Sequence, residues 1–163
     1  PAEVTQLAYS PDNKKLIAAG SDNLLRSYEP QPPNPPPAQP PSQEPAQVTE
    51  GHTAAIGSLG WSNDNSTGYT AASDGTVRLW QIASIGATAT FSGHQSQVYA
   101  VAWDPAGKLL ASASNDKTVK LWDIATGQNL RSFAAQGGAI YSIAFSPDGQ
   151  QVVTAGGDKT VRV

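Results

Sequence analysis

SNDKTVKLWD, residues 114–123, has a counterpart 42 residues earlier in ASDGTVRLWQ (72–81) and another 42 residues later in GGDKTVRV (156–163). Each copy opens on small residues, turns at an aspartate (Asp74, Asp116, Asp158) and runs through a valine and a base. Two copies then reach a tryptophan, Trp80 and Trp122, whereas the last stops at Val163, one position short. A fixed period of this length marks a repeat architecture, in which each unit is one supersecondary element that cannot bury its apolar face alone.

Working outward, the same 42-residue interval separates Trp61, Trp103 and Phe145, and also His52, His94 and Gln136. A degenerate copy precedes these, with Tyr9, Asp22 and Tyr28 in the matching slots. Asp22 lies 52 residues before Asp74, and the ten extra residues fall in PQPPNPPPAQPPSQEP, residues 30–45. Within one period the signals are those of short strands: the alternating QVYAVAW (97–103), the small-residue run LLASAS (109–114), the β-branched TVKLW (118–122) and NLRSF (129–133). Turn chemistry separates them, with DPAG at 104–107, SND at 114–116 and ATGQ at 125–128. SPDN (10–13) and SPDG (146–149) place proline where a type I turn uses its fixed φ. Four short strands per repeat is the pattern of propeller blades, and no run is long and helical enough for crossover helices.

Composition narrows the function classes. The net charge of −3 and ten scattered basic residues leave no cationic surface for nucleic acid or an anionic membrane. No stretch approaches the ~18 apolar residues of a membrane-spanning helix. With no cysteine, disulfides, thiolate metal sites and cysteine nucleophiles are excluded. Charged residues make up 14%, below the ~25% of an average domain, and with the missing thiols this leans toward an extracytoplasmic protein. The chain begins with Pro1 and has no methionine, so its native start is expected to lie elsewhere.

With GH at 51–52 and 93–94, the turn aspartates, and LW at 79–80 and LWD at 121–123 all in register, the chain resembles the WD-repeat β-propeller family. The close similarity of the copies resembles the bacterial members. The resemblance implies an all-β fold of four-stranded antiparallel blades, about four of them, the last lacking its outer strand. The boundaries expected are 1–50, 51–92, 93–134 and 135–163. The Pro-rich loop 30–45, with nine of the thirteen prolines, should leave the first blade between its third and fourth strands as an extended spacer.

The family's motif residues form a hydrogen-bonded network inside each blade. Carried over, its members are His52, Thr70, Asp74 and Trp80 in the second copy and His94, Ser112, Asp116 and Trp122 in the third. Thr154 and Asp158 are the remnant in the fourth, where Gln136 replaces histidine. The first copy has Ala18 and Tyr28 in network slots, so the outer two blades are expected to lean on packing. A histidine, a hydroxyl and an aspartate also suggest a hydrolytic triad, but an active site occurs once and this set recurs. A base recurs as well, at Arg26, Arg78, Lys120 and Arg162, and reads as a packing or solvation feature of the repeat. No catalytic, metal or cofactor site is expected.

In this family the commonest partner surface carries the loops leading into the first strand and those joining the second to the third. The resemblance places Gln97, Tyr99 and Asn115 there, with Ala139, Tyr141 and Gly157 from the fourth copy. The second contributes Ala55, Gly57 and Ser73, and the first Glu3, Thr5 and Ser21. Tyr99 and Tyr141 are the aromatic anchors, and aromatics dominate binding hot spots. The function implied is a non-catalytic scaffold that binds a protein partner. The alternative is a regulatory or sensory propeller attached to a larger enzyme. An arc of four blades is open, and two completions fit it. One is the remaining blades of a longer chain, the favoured reading. The other is a second copy, giving a homodimeric eight-bladed ring.

Overall fold

Each repeat folds as one antiparallel sheet with its strands in chain order. The computed structural model describes residues 3–30, 45–84, 86–134 and 137–163. The first sheet is β1 (Val4–Tyr9), β2 (Leu16–Gly20), β3 (Leu25–Tyr28) and β4 (Gln47–Thr49). The second is β5 (Ile56–Trp61), β6 (Thr67–Ala72), β7 (Thr76–Gln81) and β8 (Gly86–Ser92). The third is β9 (Val98–Trp103), β10 (Leu109–Ser114), β11 (Thr118–Asp123) and β12 (Asn129–Ala134). The fourth holds β13 (Ile140–Phe145), β14 (Val152–Gly156) and β15 (Val161–Arg162). There is no helix among the described residues, and the fold is all-β, built of propeller-type blades. The Pro-rich loop falls outside the described residues over 31–44, as does Gln136.

Local chemistry fixes the strand ends. The turn between the first and second strands closes on a residue in the left-handed region, Asn13, Asn65, Gly107 or Gly149. In three blades a serine hydroxyl (Ser10, Ser62, Ser146) donates to the aspartate two residues on, whose carboxylate caps the turn. In the third blade Asp104 takes the serine slot and accepts directly from the Lys108 and Leu109 N–H groups, both at 2.6 Å. The turn between the second and third strands likewise needs positive φ after its aspartate, at Asn23, Gly75, Lys117 and Lys159.

The first strand of every blade carries a bulge at the same place. The register skips Thr5 against β2, Gly57 against β6, Tyr99 against β10 and Tyr141 against β14. A bulge leaves its residue unpaired and re-aims the side chain. Both tyrosines occupy that position.

Blades pack face to face in chain order, with β1 against β5, β5 against β9 and β9 against β13. Between the first two, Ile17, Ala19 and Leu25 meet Ile56, Trp80 and Ile82. Between the second and third, Val77, Leu79 and Phe91 meet Val98, Leu110 and Trp122. The third core sets Ala111, Ala113 and Val119 against Ile140 and Ile143. Its outer part is a cavity of about 570 Å³ lined by Leu121, Phe133, Phe145 and Val152 among others.

Candidate interaction face and blade networks

Two blades contain a chain of polar contacts running from a turn into the core. His52 Nδ1 lies 2.9 Å from Asp74 Oδ2, and its Nε2 lies 2.7 Å from Thr70 Oγ1. The Trp80 indole N–H donates to the same Thr70 oxygen at 2.7 Å. In the next blade the distances are 2.8 Å for His94 to Asp116, 2.7 Å for His94 to Ser112 and 2.8 Å for Trp122 to Ser112. The donors follow from what each group can do. An ionised carboxylate only accepts, so Nδ1 carries the proton; Nε2 then accepts from the hydroxyl, whose lone pair takes the indole N–H. Burial favours the uncharged imidazole and holds both histidines below the usual range, against the pull of the aspartates.

The carboxylates are saturated. Asp74 also accepts from the Thr53 N–H and from both the N–H and hydroxyl of Thr76. Asp116 does the same with Gln95 and Thr118. Partial burial pushes the Asp116 carboxyl up, but the hydrogen bonds from Thr118, the Gln95 N–H and His94 outweigh it and hold the pKa at about 2. Thr76 and Thr118 were missed in the sequence reading. Their signal was present, since a threonine stands two residues after the aspartate in the last three repeats.

The outer blades use a different partner. Asp22 takes a two-pronged contact from Arg26, at 3.2 and 2.5 Å, and Asp158 takes one from Arg162 at 2.8 Å. The Thr160 N–H and hydroxyl and the Gly137 N–H donate to Asp158 as well. Thr154 is buried, but the histidine-centred chain of the middle blades does not form around Asp158. Besides packing, the outer blades therefore have an ion pair at the turn. The recurring base is not uniformly a packing feature, because in two blades it neutralises the turn aspartate. Where histidine holds the aspartate, the base goes elsewhere: Lys120 reaches Ser132 at 3.0 Å, and Arg78 Nε is buried with no hydrogen-bond partner among the described residues.

On the inner-strand side, each turn after the second strand is tied to the residue leading into the first. Ser21 N donates to Glu3, Ser73 to Ala55, Asn115 to Gln97 and Gly157 to Ala139, at 2.7–2.9 Å. The structure thus brings those loops onto one face in all four blades. Asn115 Nδ2 donates to Ser96 at 3.1 Å and stays exposed. Tyr99 and Tyr141, from adjacent blades, sit with ring centroids 5.2 Å apart and planes tilted by 56°. Tyr141 is 56% exposed, and Gln97 and Tyr99 are half-buried beside it. The equivalent positions of the first two blades hold Thr5, whose hydroxyl is spent on the Ile56 carbonyl at 2.8 Å, and Gly57. The aromatic surface is confined to one half of the arc. Among the described residues no three His, Asp or Glu side chains are grouped to hold a metal ion.

A family model described as WD domain, G-beta repeat matches the chain at residues 1–29, 43–81, 86–123 and 127–163. No curated protein matches it.

Proposed function

The chain belongs to the family of the WD domain, G-beta repeat, and on that premise we propose that it is a scaffold whose Tyr99–Tyr141 face binds a protein partner. Repeats of this family generally mediate protein–protein interaction and are typically non-catalytic. The observation that carries the proposal is the pair of tyrosines at equivalent bulges of neighbouring blades, in contact with each other and open to solvent on one side. Two stiff amphipathic rings offer large contact area at low entropic cost, and Gln97 and Asn115 flank them with amide groups that pair with a partner's backbone.

The His–Asp–hydroxyl–tryptophan chains serve the blades rather than a reaction. Thr70 and Ser112 are wholly buried, and each hydroxyl is already engaged on both sides, so no substrate carbonyl reaches it. Fully satisfied buried networks of this kind specify a fold.

The test compares proteins retained by the immobilised wild-type chain with those retained by Tyr99→Ala/Tyr141→Ala. The control is Asp148→Ala/Gln150→Ala, in the turn at the other end of β13. Loss of the retained set in the tyrosine variant alone supports the face. Retention of the same set by the tyrosine variant rejects it.

A further inference from the structure

The residue after the turn aspartate lies in the left-handed region in every blade, at Asn23, Gly75, Lys117 and Lys159, with φ between 63 and 79°. Glycine and asparagine adopt this conformation readily, whereas a long side chain does so at a cost. The first two blades carry the tolerant residues, and the third and fourth carry lysines. Backbone strain of this kind gathers where a side chain is needed for binding. Both lysines are exposed, and among the described residues neither ammonium group makes an ion pair or a hydrogen bond.

These are also the blades that carry Tyr99 and Tyr141. Asn115, two residues before Lys117, donates its N–H at 2.9 Å to the carbonyl of Gln97, itself two residues before Tyr99. The Tyr141 ring lies against Gly157, two residues before Lys159, where an added Cβ would stand 3.4 Å from Cε2. Two residues span at most about 8 Å, so each lysine rises within a side chain's reach of its tyrosine.

Charge divides the face in the same way. Each blade sets one aspartate against a base four residues on, and the formal charges cancel: Asp22 with Arg26, Asp74 with Arg78, Asp116 with Lys120 and Asp158 with Arg162. Among the described residues of these loops, the charges left over are Glu3 and Glu50 in the first two blades and Lys117 and Lys159 in the others. The tyrosine half of the face is cationic, and the other half is anionic.

We propose that the segment received by the Tyr99–Tyr141 face is an acidic peptide, with apolar side chains laid on the two rings and carboxylates on Lys117 and Lys159. The inference rests on the tyrosine face as the binding surface and adds the chemistry of what it takes. Such a segment meets complementary charge on this half and is turned away from the other by Glu3 and Glu50, which fixes its register. Nucleic acid does not fit, because two lysines with acids beside them give no continuous cationic track for a phosphate backbone.

The experiment is selection of a random peptide display library on the immobilised wild-type chain, followed by titration of the enriched peptides in solution. These peptides should carry an excess of aspartate and glutamate. Lys117→Gly/Lys159→Gly suits the backbone at both turns, and losing two exposed ion pairs should weaken the peptides about three- to thirtyfold. Salt at about 0.5 M should weaken the wild type and leave the glycine variant little changed. Lys117→Glu/Lys159→Glu should select basic peptides instead. A selection that enriches nothing, or enriches peptides without an acidic excess, overturns the proposal. Acidic peptides that the glycine variant binds as tightly as the wild type also overturn it. Tyr99→Ala/Tyr141→Ala separates the two readings. If it loses the enriched peptides while the glycine variant keeps them, the face stands and its acidic partner falls. If it keeps them while the glycine variant loses them, the lysines act away from the rings and both readings fall.

Discussion

Four aspartates at one slot of the repeat are satisfied in two ways, and the choice has consequences for single residues. Asp74 and Asp116 receive a neutral histidine, whereas Asp22 and Asp158 receive a guanidinium from four residues on. Removing Asp116 strands the His94 Nδ1–H, the Gln95 N–H and the Thr118 hydroxyl in a mostly buried place. Asp116→Ala should therefore cost about 2–3 kcal/mol in urea unfolding. Asp158→Ala should cost clearly less, because water replaces its partners. Equal losses would reject the distinction. The same groups set the acid response. His52 and His94 have folded values below that of the unfolded chain, so the unfolded state binds more protons as pH falls through about 6.5. Their contribution is complete above that value and drains away below it. Asp116, held at about 2, keeps its contribution above about pH 4 and loses it as pH falls toward 2. The urea midpoint should fall from pH 7 to 5 and fall again below 4; a flat profile between 7 and 5 would show that the imidazoles do not titrate differently on unfolding.

At the scale of the element, the turns and bulges carry information that the strand pattern alone does not. Lys117 adopts φ +69° where the second blade has Gly75 at φ +79°. A side chain in the left-handed region costs about 1–2 kcal/mol, partly offset by the unfolded-state freedom that glycine adds. Lys117→Gly should raise stability by about 0.5–1 kcal/mol. Gly75→Ala should lower it by about 1–2 kcal/mol, since the conformation is unfavourable and the added Cβ would sit 3.0 Å from the His94 carbonyl of the next blade. Thermal unfolding of both variants checks the opposite signs. These elements also show what the sequence could reveal. The 42-residue spacing of Asp74, Asp116 and Asp158 located three of the four turns of this class, and Asp22, displaced by the ten extra residues, marked the other, because turn chemistry is local. The bulges at Tyr99 and Tyr141 were not legible, since a skipped register is a property of two strands together. The Arg26–Asp22 and Arg162–Asp158 pairs were also missed. A base recurring in every repeat gave no sign that its partner depends on whether histidine is present.

For the whole molecule, near-identical repeats are energetically unequal because their neighbours differ. Phe91 and Phe133 are the same position of successive blades, yet Phe91 is 1% exposed and Phe133 41%. Phe91 is closed in by the Trp122 ring at 5.6 Å, whereas Phe133 lies at the cavity between the third and fourth blades, with Arg131 over its face. In a stack where each unit touches only its neighbours, stability is a sum of unit and interface terms, so the quality of each joint sets the order of opening. Phe91→Ala removes a filled joint and should cost about 3–5 kcal/mol, while Phe133→Ala, already half in water, should cost about 1 kcal/mol. Native-state hydrogen exchange should give the matching map. Amides of β6, β7, β10 and β11 should be protected longest, and those of β4, β12 and β15 should exchange first, because the former lie in the interior of doubly packed sheets. Phe91→Ala offers the decisive control on this ordering. It empties the joint between the second and third blades, and should speed exchange there without reaching β1–β3 or β14–β15. Uniform acceleration across all four would mean that the arc opens as one unit and that its joints are not separable.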